Sequence, residues 1–274
     1  MGNLSTSYTF VNDTTADASQ VNTNNADIVN YINARNQGLS KWDEIKTAGD
    51  CDVDGDLNVA GINVASLLTS DGWLQASETW TYASATSFTV DGDKTGKYSK
   101  GDKIKLTQTT VKYFYILNVT YSSPNTTITI YAGSDYSLAN ASITSPYYSK
   151  QTTPIGFPAR FSFSPTITGF SSTLDNNCSF TLNGRMIFIN YEINGTSNAT
   201  AFFAILPTIT LDTTLDSRCA IASAFDNGNH VTSGNPIVNN ELADRLSFGR
   251  DRYDGAWTSS GQKTAIGVFI GYIA

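Results

Sequence analysis

One histidine, three cysteines and a charged fraction of 15% leave this chain of 274 residues poorly supplied for several kinds of chemistry. His230 has neither a second histidine nor a C-x-x-C pair to join it, so a zinc site has no support. The G-x-x-x-x-G-K-[ST] and G-x-G-x-x-G loops that cradle phosphates are missing, and nucleotide binding is unsupported with them. There is no G-x-S-x-G elbow to present a nucleophilic serine. Serines and aspartates abound, so composition alone leaves a Ser/His/Asp triad open. His230, however, stands in the turn-rich run Asp226-Asn227-Gly228-Asn229-His230, where a histidine is ordinarily a solvated loop residue. Glycoside hydrolysis needs two acids held roughly 5–10 Å apart across a groove. Asp244, Asp251 and Asp254 are candidates, but no spacing singles out a pair. The expectation is a protein that is not an enzyme and carries no cofactor or metal.

Positive charge is also scarce. Seventeen Lys and Arg face 24 Asp and Glu, for a formal net charge of -7 and a pI near 4.6. The cations are scattered, which argues against a nucleic-acid surface. The most apolar run, Ile266–Ile273, is far below the ~20 residues a membrane helix needs. Met1 is followed by polar residues with no basic segment leading into an apolar one, so no secretory signal is expected. Cys51, Cys178 and Cys219 are odd in number and far apart, a pattern of free thiols in a reducing compartment, with a Cys178–Cys219 bridge as the alternative. Aromatics make up 12% of the chain, too many for general disorder. The length suits one large or two modest domains.

Four segments follow one another. In 1–48, a polar, extended opening gives way to Thr15–Arg35, which contains neither Gly nor Pro, with Asp17 expected in the first helical turn. Val21, Asn25, Ile28, Ile32, Arg35 and Leu39 recur at spacings of 4, 3, 4, 3 and 4, the a/d rhythm of a coiled coil, and Gly38 would end the helix. An amphipathic helix packed on its own domain is the plain reading. A coiled coil between identical chains is the sharper one, in which Val21, Asn25, Ile28 and Ile32 form the seam. Alone, such a helix is marginal in water.

Residues 49–70 alternate Val53, Leu57, Val59, Ile62 and Val64 with Gly55 and Gly61, which predicts very short strands with turns, best buried when several copies wind together. Asp50, Asp52, Asp54, Gly55 and Asp56 resemble the opening of a calcium loop. The twelfth position of that loop, normally a bidentate Glu, is Gly61 here, so turn carboxylates in water are the simpler reading. Residues 71–154 predict a compact β barrel or sandwich from Ser87–Val90, Lys103–Thr109, Val111–Tyr121 and Thr126–Tyr131. Residues 155–274 predict a second β domain. Asn183-Gly184 marks a two-residue hairpin turn, with Ile187, Ile189, Tyr191 and Ile193 on one face of its second strand. The last strand is apolar on both faces, Ile266, Val268, Ile270 and Tyr272 against Gly267, Phe269, Gly271 and Ile273, so a subunit is expected to cover its outer side, with a central strand of a monomer as the alternative. Phe269 and Ile273 are the residues expected to make that contact. The polar loops of 223–261 carry Asn227, Asn229, His230, Asn239, Asn240, Tyr253 and Trp257. Amides beside an exposed aromatic suit sugar recognition, whereas the plainer reading packs Tyr253 and Trp257 beneath the loops.

The opening TFVNDTTADASQVNTNNADIVNYIN, the stretch VDGDLNVAGINV and the module WTYASATSFTVDGDKTGKYSKGDKIKLTQTTVKYFYILNVTYSSPNTTITI with SPYYSK after it together resemble a bacteriophage virion fibre protein of tail-fibre or head-fibre type, over roughly residues 7–150. The closing VFIGYIA is loosely similar to the last strand of trimeric jelly-roll heads. The resemblance implies an intertwined homotrimer found in the virion and assembled in the host cytoplasm. It would have a short coiled coil, a β-structured shaft and two all-β domains, the second a jelly-roll-like head. Its N-terminal segment would meet other virion proteins. Its C-terminal domain would attach to a host surface glycan or protein through Asn227, Asn229, His230, Tyr253 and Trp257. A purely structural head fibre, decoration or adaptor protein is the alternative, and a polysaccharide depolymerase is a third reading that the short chain disfavours.

Overall fold

The computed structural model describes residues 18–36, 58–59, 62–63, 71–215 and 217–274. The chain divides into two compact units, Met1–Gly55 and Asp56–Ala274. In the first, helix α1 (Ala18–Asn36) matches the predicted Gly- and Pro-free stretch and stops two residues before Gly38. Its described side chains include Val21 and Ile28, 40% and 37% exposed, and Asn25, also exposed. The side chain of Ile32 lies outside the described residues, as do Asp17, Leu39 and the acidic run 50–56.

Among the described residues, the regular elements of the second unit are all β. It opens with β1 (Asn58–Val59) and β2 (Ile62–Asn63), a hairpin with the very short strands expected of this segment. Next come β3 (Leu74–Gln75), β4 (Thr81–Ser84), β5 (Ser87–Asp91), β6 (Lys103–Thr107), β7 (Val111–Ser122), β8 (Asn125–Tyr131) and β9 (Thr144–Ser149). These form one antiparallel sheet in the order β3-β9-β6-β7-β8-β5-β4. Alternation sets its inner face: Phe88, Ile128 and Ile130 are fully buried, while the intervening Thr127 and Thr129 are only partly so. Trp80 stacks on Phe88 at 4.4 Å, and Tyr98 meets both Trp80 and Tyr148 edge-on.

The remaining strands are β10 (Phe161–Phe163), β11 (Thr166–Thr168), β12 (Phe170–Asn183), β13 (Met186–Ser197), β14 (Phe203–Ile205), β15 (Arg218–Asp226), β16 (Asn229–His230), β17 (Ile237–Asn239), β18 (Arg245–Gly249) and β19 (Gln262–Tyr272). Their order is β10-β12-β13-β19-β15-β17-β18-β14-β11, with β16 paired to β15. The sheet turns at β15, whose first residues pair with β17 and whose later ones pair with β19 across an irregularity at Ile221/Ser223. Such a bulge re-aims a strand, so one strand can serve both halves of a curled sheet. The β12–β13 hairpin closes at Asn183↔Met186, so the turn residues are Gly184 and Arg185, one position later than the sequence suggested.

Gln151–Pro158 separates the two sheets, but their side chains make one core. Tyr115 of β7 meets Phe161 at 5.5 Å and Phe180 at 6.0 Å, and Tyr131 of β8 stacks on Phe180 at 5.4 Å. Trp73 Nε1 donates to the carbonyl of Ile155 at 2.8 Å. The free edge of β10 is covered as well: Ser134 N donates to Ser162 O at 2.7 Å, and Asp135 accepts from Ser162 N at 2.9 Å. Covering an edge in this way removes a template for unwanted strand pairing.

Two expected contacts of the last strand need correction. Phe269 and Ile273 are buried at 0% and 2% inside the chain's own core. Ile266, Val268 and Ile270 face outward, 37%, 40% and 44% exposed. The reason lies in the glycines. A Cβ on Gly267 would meet Tyr191 Oη at 2.5 Å, and one on Gly271 would meet the Phe269 ring at 2.6 Å. The glycine positions make room for large rings, so their face turns inward.

Candidate functional site

Asp226 ties together two of the loops singled out in 223–261. It ends β15 with its side chain 4% exposed, and its carboxylate accepts from Arg250 Nε at 2.7 Å, Thr258 N at 3.0 Å and Thr258 Oγ1 at 2.6 Å. A single buried acid therefore holds both ends of the 250–258 loop against the β15–β16 hairpin. The tip of that hairpin is Asn227-Gly228, with φ of 52° and 76° and the pair Asp226↔Asn229 closing it. Two positive φ values in a two-residue loop match the twist of the strands, which is why Asn-Gly is favoured there. Asn227, Asn229 and His230 are exposed on this tip, with the His230 ring 5.1 Å from Phe225.

Within the 250–258 loop, Asp251 accepts from Tyr253 N at 2.8 Å and Gly255 N at 3.0 Å. Asp254 accepts from Asn239 Nδ2 at 2.8 Å and pairs with Arg218 at 3.2 Å. Asp244 pairs with Arg245 at 2.9 Å, which holds its carboxyl below the usual range. All three candidate acids are thus taken up by local partners. Tyr253 is 75% exposed, with Arg252 lying 4.6 Å from its ring. Trp257 is not presented: it is 2% exposed, its Nε1 donates to Phe248 O at 2.7 Å, and it meets Phe202 edge-on. Asn239 and Asn240 are buried too, and Asn240 bonds Ser217 N, Asp212 O and Leu215 O. Of the five expected contact residues, four stand exposed and Trp257 belongs to the core.

A larger feature escaped the sequence reading. The outer face of β12, β13 and β19 forms a concavity of about 600 Å³, lined by Arg160, Asn177, Asn190, Glu192, Ile266 and Val268 among others. Among the described residues, the side chains of Arg160, Asn177, Asn190 and Glu192 make no hydrogen bond or ion pair within the chain, so they are available to a partner. The alternation Met186, Phe188, Asn190, Glu192 was visible. Its place beside Ile266 and Val268 needed the register Asn190↔Val268 and Glu192↔Ile266.

Among the described residues no group of three or more His, Cys, Asp or Glu converges on a metal position. Cys178 and Cys219 are free thiols, and burial pushes the Cys178 thiol up to about 12. No helix among the described residues is long and apolar enough to cross a membrane. Comparison with protein-family models, curated proteins and solved structures found no match.

Proposed function

We propose that the chain is a subunit of a homotrimeric bacteriophage virion fibre. Its N-terminal segment and helix would join it to the particle, and its jelly-roll-like C-terminal β domain would act as a non-enzymatic attachment module for a host surface glycan or protein. The observation that carries this reading is the stripe Ile266, Val268 and Ile270 on the outer side of a central strand. A strand with two apolar faces is ordinarily covered on both. Helix α1 supports it independently, because a helix of 19 residues with Val21 and Ile28 exposed is marginal without a partner. Three copies would present three sets of the Asn227, Asn229, His230 and Tyr253 loops, and weak contacts add when they are linked.

Light scattering on the full chain at micromolar concentration tests the assembly: three times the chain mass of 29.5 kDa is expected, and a monomer overturns it. Competition between the purified full chain and the virus for host cells tests attachment. A correctly assembled trimer that fails to compete would leave a purely structural fibre, decoration or adaptor, a reading favoured by the loss of Trp257 to the core.

A further inference from the structure

Opposite one another on β14, β18, β17 and β15 stand Phe203, Ser247, Asn239 and Arg218. Leu246 and Phe248 turn from β18 into the core, so Ser247 between them belongs to the other face. The 250–257 segment folds over this row, closed by Arg250 N donating to Gly255 O at 2.9 Å and anchored through Asp254 to Asn239 and Arg218. Between the segment and the sheet lies a cavity of about 280 Å³, whose lining includes Phe203, Glu241, Ser247, Asp254 and Trp257.

One feature of the cavity is unsatisfied. Ser247 is 6% exposed and its buried hydroxyl has no hydrogen-bond partner. Leaving such a group unpaired costs on the order of 1–3 kcal/mol, which a bound donor would recover. The charged side chains that line it have one sign, although Arg218 pairs with Asp254 from outside the lining. Glu241 and Asp254 line the cavity and no Lys, Arg or His does. The Glu241 carboxylate makes no side-chain hydrogen bond or ion pair among the described residues, while both Asp254 oxygens already accept from neighbours but keep free lone pairs. The lining therefore offers acceptors and negative charge, with the hydroxyls of Ser247 and Thr200 as its side-chain donors apart from the indole already given to Phe248.

We propose that this cavity binds the primary ammonium group of a small ligand, with Ser247 Oγ and the carboxylates of Glu241 and Asp254 accepting its N–H donors. The volume limits the ligand to about one sugar ring or a short alkyl amine. The site is separate from the exposed tip at Asn227–His230 and does not depend on the chain being a fibre.

The test is calorimetric titration of the full chain with n-butylammonium, D-glucosamine and D-glucose. Both amines should bind saturably and D-glucose should not. Ser247→Ala and Glu241→Gln should each weaken amine binding by about tenfold, the scale of one charge-assisted hydrogen bond, with melting temperatures near that of the parent. Absence of saturable binding by either amine, D-glucose binding as tightly as D-glucosamine, or unchanged affinity in both variants would each overturn the proposal. Glu241 is exposed, so its variant remains informative if Ser247→Ala does not fold.

Discussion

Lys263 carries the sharpest energetic consequence of this fold. It is fully buried on β19, and its ammonium donates to the carbonyls of Ala199 at 2.8 Å and of Gly169 and Ala201 at 3.3 Å. The rings of Phe170 and Phe202 lie 5.2 and 5.6 Å away. Burial outweighs the attraction of Asp226 and pushes the amine down from 10.5 to about 8. The folded protein thus holds fewer protons than the unfolded chain between those values, so stability must rise with pH across that window and be least below it. From pH 7 to 9.5 this residue alone should add about 2 kcal/mol, at 1.36 kcal/mol per pH unit of full difference. Buried tyrosines raised above their usual range, Tyr98 and Tyr191 among them, act in the opposite sense as the unfolded chain ionises near pH 10. The measurement is therefore the difference between parent and Lys263→Met in urea unfolding at the two pH values. The parent should gain about 2 kcal/mol relative to the variant. Parallel pH dependence in the two proteins would refute the reasoning.

Three further outcomes are expected. Gly101, at φ 85°, has the Gly184 carbonyl oxygen 2.0 Å from where a Cβ would stand, so Gly101→Ala should cost more than about 2 kcal/mol, read as a lowered melting temperature. Phe180→Ala removes a ring shared by Tyr115, Tyr131, Phe161 and Phe163 and should cost about 3–5 kcal/mol while leaving one cooperative transition; two separate transitions in the parent would refute a shared core. Trp257→Ala should likewise cost about 3–5 kcal/mol, whereas Tyr253→Ala should leave the melting temperature unchanged and weaken competition for host cells.

Where polar and apolar residues alternate strictly, the sequence was a good guide. Ile128 and Ile130, and Ile187 through Ile193, lie on the faces their spacing predicts. The first half of β12, Phe170–Asn177, was invisible because Ser171-Ser172-Thr173 and Asp175-Asn176-Asn177 carry no apolar rhythm; its partner β13 specifies it through pairing. The direction of β19 was misjudged because both faces hold large apolar side chains, and only the rings crowding Gly267 and Gly271 decide between them. For Trp257 the polar loop around it leaves both an exposed sugar-binding role and packing beneath the loops open, and the structure takes the second, with Phe202 and the Phe248 carbonyl against its indole. Lys263 ran against expectation altogether, since a lysine is almost never fully buried without partners and those partners are backbone carbonyls that no residue pattern announces.

The aromatic seam between the two sheets bears on how such a chain can be exchanged between relatives. A recombination junction in Gln151–Pro158 looks natural from the strand order, yet it would separate Tyr115 and Tyr131 from Phe161 and Phe180. A donated C-terminal half would arrive with unmatched rings facing an unfamiliar neighbour. Keeping the seam matched would require exchanging the two sheets together, whereas the Asn227–His230 tip and Tyr253 take no part in it.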